Sequence, residues 1–178
     1  MTDIKIKEFS QTFKNAIIEA QENDQFADDM LFCKFPKACC GDTCYLLGEF
    51  LKRRGINTIY VCGDFNGQTH AWLVVKDERV EEPIKYECTI PDNVLGCFRS
   101  YIGREIEQTI RSERYEEKNL INGLIIDITA DQFEESSVHV GPMDSFHSNF
   151  KFMYAHDYDG IGTERLEGLL NVILDYIK

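Results

Sequence analysis

The segment from Gly41 to Lys76 constrains the fold more than any other. Between Gly41 and Arg54, Leu46, Leu47, Phe50 and Leu51 share one face, Asp42 stands in the first turn, and Lys52, Arg53 and Arg54 precede Gly55. An acidic start, a basic end and a glycine stop mark a helix whose ends complement its own dipole. Two strand-like runs follow, Thr58 to Cys62 and His70 to Lys76, separated by the turn-prone GDFNGQ. A β-hairpin is the economical reading. Trp72 and Val74 alternate with Ala71, Leu73 and Val75. Both faces of the second run are therefore apolar, and it belongs inside its sheet. A helix feeding an antiparallel pair points to the α+β class.

The flanking segments supply the rest of such a domain. Phe9, Phe13, Ile17 and Ala20 recur every three or four residues and predict an amphipathic N-terminal helix that ends in the polar QEND stretch. The run GLIIDIT, residues 123–129, predicts a buried strand in which Asp127 is the one charge, and another strand is expected around Phe150 to Tyr154. Thr163, followed by Glu164, is a helix cap leading into Leu166, Leu170, Ile173 and Ile177. The one abrupt change is a charge-rich stretch at about 78–120. There Val94, Phe98, Ile102, Ile106 and Ile110 fall at four-residue steps, predicting a helical insertion with an apolar seam. With 178 residues, 43% of them hydrophobic, the chain is expected to form one domain, 1–178, carrying that insertion.

Charge and cysteine usage narrow the function classes. Nineteen basic against 31 acidic residues give a net charge of −12 and a pI near 4.7, which argues against nucleic acid or an anionic membrane as main partner. The first residues lack the apolar run of a signal peptide, and no segment approaches a membrane span, so a cytoplasmic protein is expected. Seven cysteines, an odd number, then read as reduced thiols. No Cys-x-x-Cys pair or closely spaced histidine pair suggests zinc, and nothing calls for another metal or an organic cofactor. Cys33, Cys44, Cys62, Cys88 and Cys97 are expected to be small buried hydrophobes.

Cys40 is different because it begins a helix. Free N–H groups and the positive end of the dipole stabilise thiolate over thiol there. His70, at the start of a strand, is placed to exchange the thiol proton, and Asp127 in a neighbouring strand to orient the ring. Asp131 competes for that last role, but Asp127 lies within the strand, where positioning is more rigid. Trp72 should share a sheet face with His70 and either wall the site or fill the core. His139, His147 and His156 show no accompanying pattern and are expected in surface or hydrogen-bonded roles.

The stretches CCGDTCYLLGEFLKRRGINTIYVCG, HAWLVV and LIIDIT together resemble the core of the transglutaminase-like superfamily of papain-fold cysteine enzymes. That resemblance implies a helix-borne Cys packed on an antiparallel sheet carrying His and Asp. It makes Cys40 the nucleophile, His70 the base and Asp127 the orienting acid, since the interval from Cys40 to Gly55 suits the family's helix and Cys44 falls where the family carries a small residue. The implied activity is that of a peptidase or amidase working through a thioester on a peptide or protein substrate. Transglutaminase or deamidase chemistry, or a non-catalytic scaffold keeping the fold, are the alternatives. The 57 positions between His70 and Asp127 exceed the family's usual hairpin, and the insertion that fills them is a candidate lid, recognition arm or docking surface for a partner protein. The Cys40 N–H, with Gln68 or a residue upstream of Cys40, is the expected oxyanion donor set.

Overall fold

The computed structural model describes residues 2–89 and 109–177. In chain order, these hold helices α1 (Asp3–Glu22) and α2 (Cys40–Lys52), then strands β1 (Thr58–Phe65) and β2 (Gln68–Val75). A ribbon of β3 (Ile84–Thr89) and β4 (Thr109–Arg114) follows, with the short helix α3 (Glu117–Leu120) after it. The chain closes with β5 (Ile125–Asp127), β6 (His139–Gly141), β7 (Lys151–Asp157) and α4 (Glu164–Asp175). Five strands form one antiparallel sheet in the order β6-β5-β2-β1-β7, and β3 and β4 pair separately. The protein is an α+β domain with β2 at the centre of its sheet.

Local chemistry explains why the elements fall where they do. The β1–β2 turn is only Asn66 and Gly67, with φ of 54° and 81°, so Phe65 pairs with Gln68 and the strands run longer than the GDFNGQ signal suggests. Asn-Gly is the pair best suited to two successive positive φ values, and the resulting turn has the twist of the strands it joins. Helix α2 stops where Gly55 adopts φ 75° and the Ile56 N–H returns to the Leu51 carbonyl at 3.1 Å. At α4, Thr163 Oγ1 accepts the Leu166 N–H at 3.3 Å, as a Thr cap should.

The central strands of the sheet are buried on both sides. Ala71, Leu73 and Val75 of β2, with Ile126 of β5, face the three long helices and join Phe13, Ile17, Leu47, Phe50 and Leu170. Trp72 and Val74 face the other way and pack with Ile59, Val61, Ile125, Leu120 and Phe150. This double burial is why β2 reads as continuously apolar. Gly63 shows how tight the second side is. It pairs with His70 across the hairpin, next to a register shift against β7, and a Cβ there would stand 2.7 Å from Phe150 Cβ and 3.1 Å from the Trp72 ring. Gly63→Ala should therefore cost about 1–3 kcal/mol, read as a lowered denaturation midpoint; an unchanged midpoint would mean that Phe150 is free to move.

Three expectations need correction or restriction. Ile110, the last member of the expected helical seam, pairs with Cys88 in the β3–β4 ribbon, so the insertion is entered and left through strands. The rest of the seam, from Val94 to Ile106, and Cys97 lie outside the described residues, as does the docking role expected there. Cys33 is exposed, because in the short 3₁₀ turn Phe32–Lys34 the larger Phe32 takes the buried position. No helix among the described residues is long and apolar enough to cross a membrane.

Candidate active site

Cys40 is the first residue of α2, so its N–H has no carbonyl partner within the helix. The segment leading into it is held by charge. Arg165 of α4 donates to Asp29 at 2.8 and 2.9 Å and to Asp42, in the first turn of α2, at 2.7 Å. Asp29 also accepts the N–H groups of Leu31 and Phe32. The Arg165 guanidinium and these N–H groups hold the Asp29 carboxyl down at about 2. The helix start is thereby tied both to α4 and to the loop before it.

Around the sulfur, the three neighbouring thiols separate by environment. Burial pushes Cys39 up to about 12, and pushes the fully enclosed Cys44 well above the usual thiol value. Burial acts on Cys40 in the same direction. The His70 hydrogen bond and charge, together with backbone hydrogen bonds from Ala71 and Gly41, outweigh it and leave the thiol below its ordinary value. Cys40 is also the only one of the three that is partly exposed. A nucleophilic cysteine needs both properties, thiolate character and access.

His70 is fully buried, and its Nε2 lies 2.7 Å from Asp127 Oδ2. With Nε2 so engaged, Nδ1 is the ring nitrogen that does not face the carboxylate. Burial alone would lower the imidazole's proton affinity, yet hydrogen bonds to Asp127 and Cys40 hold it up at about 9. Phe133, Phe146 and Phe150 pack round the ring at centroid separations of 5.1, 5.7 and 5.4 Å, with Trp72 at 5.9 Å. Trp72 thus shares the His70 face and also fills the core behind it. Apolar walls of this kind exclude water and strengthen the charged hydrogen bonds inside.

Asp127 is saturated with donors. Its Oδ1 accepts the Thr129 N–H at 2.8 Å and the Thr129 hydroxyl at 3.0 Å, while Oδ2 faces both His70 Nε2 and, at 3.2 Å, His147 Nε2. Burial would raise its pKa, but the two histidines and the Thr129 N–H hold the carboxyl far below the usual carboxylate range. The competing Asp131 is used elsewhere: it pairs with Lys14 at 2.6 Å. The structure thus brings Cys40, His70 and Asp127 together.

Other residues fall differently. Gln68 is exposed beside the hairpin turn, whereas the side-chain amide of Gln132 lies 3.4 Å from His70 Nδ1. His147, expected in a surface or hydrogen-bonded role, is buried and hydrogen-bonded to Asp127. Its neighbours Phe146 and Phe150 in FHSNF, which pack round the His70 ring, were the available signal. His139 and His156 are partly buried, each with a ring nitrogen against a backbone carbonyl. Compared with family models, with curated proteins and with solved structures, the chain matches none.

Proposed function

We propose that this protein is a cysteine-dependent hydrolase of papain or transglutaminase-like type, a peptidase or amidase acting on a peptide or protein amide in a cytoplasmic setting. One observation carries the reading: a partly exposed thiol at a helix N-terminus is held below its ordinary pKa by a buried imidazole whose Nε2 lies 2.7 Å from a buried carboxylate. That is the arrangement an activated thiol nucleophile requires.

The reaction follows from the protons. Cys40 thiolate attacks the amide carbonyl carbon, forming the C–S bond, and negative charge develops on the oxygen. The Cys40 N–H, which has no carbonyl partner within its helix, is the natural donor to that oxygen. The C–N bond then breaks as His70 imidazolium gives its proton to the leaving amine. Neutral His70 next takes a proton from water, which attacks the thioester; the acid departs, and thiolate and imidazolium are restored. Asp127 keeps its negative charge throughout and fixes the ring.

The pH dependence has a definite sign. Below the depressed pKa of Cys40 the thiolate is protonated and the rate falls; above about 9 the His70 imidazolium is lost and with it the general acid. Turnover should follow a bell whose alkaline limb lies near pH 9, checked by steady-state rates across pH. A rate that keeps rising well beyond that limb would contradict His70 as the acid.

The direct test is a thiol-reactive acyl electrophile with mass-spectrometric site mapping. Selective modification of Cys40, lost in His70→Ala, supports the proposal. Uniform slow labelling of several cysteines would instead indicate a scaffold that keeps the arrangement without turnover.

A further inference from the structure

A second cluster of ionisable groups lies directly behind Asp127, on the nine-residue stretch HVGPMDSFH between His139 and His147. Asp144 Oδ1 lies 2.7 Å from His147 Nδ1, and Asp144 Oδ2 lies 3.2 Å from His139 Nδ1. One ligand atom from each of the three residues falls within 4.8 Å of the others. The outward nitrogens are also engaged: His139 Nε2 with the Pro142 carbonyl at 3.1 Å, and His147 Nε2 with Asp127 Oδ2.

Proton counting makes this arrangement informative. A neutral imidazole has one N–H and one acceptor nitrogen. His147 meets an oxygen acceptor at hydrogen-bond distance at both nitrogens, while His139 does so at Nε2 and brings Nδ1 to a looser 3.2 Å contact with the same Asp144, so a cation on the inner faces satisfies both rings at once. Two imidazolium ions would stand with ring centroids 4.9 Å apart, both against Asp144 and one of them also against Asp127. A single divalent ion at the shared point replaces both inner protons and supplies the same charge without that repulsion. The outer contacts then become what metal-bound histidines normally have, an N–H donated to a carboxylate in one case and to a backbone carbonyl in the other. Asp144 is held in place as well, because its Oδ1 accepts the His147 backbone N–H at 2.9 Å.

We propose that His139, Asp144 and His147 form a binding site for a divalent transition metal of the zinc class, bound through the two Nδ1 atoms and the Asp144 carboxylate. Two nitrogens and one oxygen suit borderline ions such as Zn²⁺ or Co²⁺, which accept three protein ligands and complete their shell with water. His139 and Asp144 are partly exposed and give the ion its route of entry. The site stands independently of the catalytic reading. Where both hold, the bound ion fixes His147 as a donor to Asp127 and so braces the carboxylate that orients His70.

The test is titration of the full-length, chelator-stripped Cys40→Ser variant with Co²⁺, followed by visible absorption, so that Cys40 is not a ligand. Expected are one ion per chain, ligand-field bands without a thiolate charge-transfer band, displacement by Zn²⁺, and a metal-dependent rise in melting temperature. His139→Ala and Asp144→Asn should each weaken binding by more than about 100-fold while keeping the far-ultraviolet circular dichroism of the folded chain. Absence of stoichiometric binding, a thiolate charge-transfer band, or affinity unchanged in both variants would overturn the proposal. None of these readouts depends on turnover, so failure of the metal site is distinguishable from failure of the catalytic reading.

Discussion

Cys40→Ala is expected to reduce turnover by about 10⁴-fold or more, the scale on which loss of a covalent nucleophile is felt. The same change should leave stability within about 1 kcal/mol, because the partly exposed side chain loses only one sulfur and little buried area. Cys44→Ala is the informative companion. Cys44 lies one turn further along α2, buried in the helix-side core, and burial keeps its thiol protonated. Its removal should cost roughly 1–2 kcal/mol through the cavity it leaves, yet preserve the rate at temperatures where the variant is folded. Rates and denaturation curves measured together decide the assignment. An inactive but folded Cys44→Ala, with an active Cys40→Ala, would move the nucleophile one turn along the helix and invalidate the proposed geometry.

The largest expected effect on stability belongs to Lys14. This side chain on α1 is almost completely buried, at 2% exposure. Its ammonium donates to the Ile128 carbonyl at 2.8 Å, the Ser137 carbonyl at 2.7 Å and Asp131 Oδ2 at 2.6 Å, using all three of its protons. Those acceptors lie just after Asp127, so one lysine pins the loop that leaves β5 and carries Gln132 to His70. Lys14→Ala removes the cation and strands the carboxylate and both carbonyls, which should cost about 3 kcal/mol. For a chain of this length that corresponds to a fall in Tm of roughly 6–12 °C. Lys14→Met restores the volume but not the donors and should lose nearly as much. If either variant melted within about 2 °C of the parent, water would have to satisfy those acceptors and the pinning role would be wrong.

Much of this molecule was legible before its structure. Helix α2, the hairpin and the closing helix carry local signals that agree with the tertiary result: a Gly55 stop, an Asn-Gly turn and a Thr163 cap. The order of Cys40, His70 and Asp127 was legible for the same reason, since each sits at a position that helix or strand geometry fixes. What escaped was set by contacts distant in sequence. Lys14 beside Phe13 reads as the edge of an amphipathic stripe, and only Ile128, Asp131 and Ser137, more than a hundred residues away, turn it inward. His147 and Asp144 lie in a loop with little regular structure, and their significance depends on facing Asp127. Ile110 continued a four-residue period yet lies in a strand, paired with Cys88 across the ribbon. Periodicity alone could not weigh that pairing.

The most direct measurement is the pH dependence of Cys40 alkylation by a neutral haloacetamide, followed at that residue by mass spectrometry in the parent and in His70→Ala. Alkylation of the parent should rise through an inflection below the ordinary thiol pKa, and in His70→Ala that inflection should move up towards or beyond the ordinary value. An inflection at the ordinary thiol value in both proteins, or a Cys40 that resists alkylation throughout, would contradict an activated thiol at the start of α2.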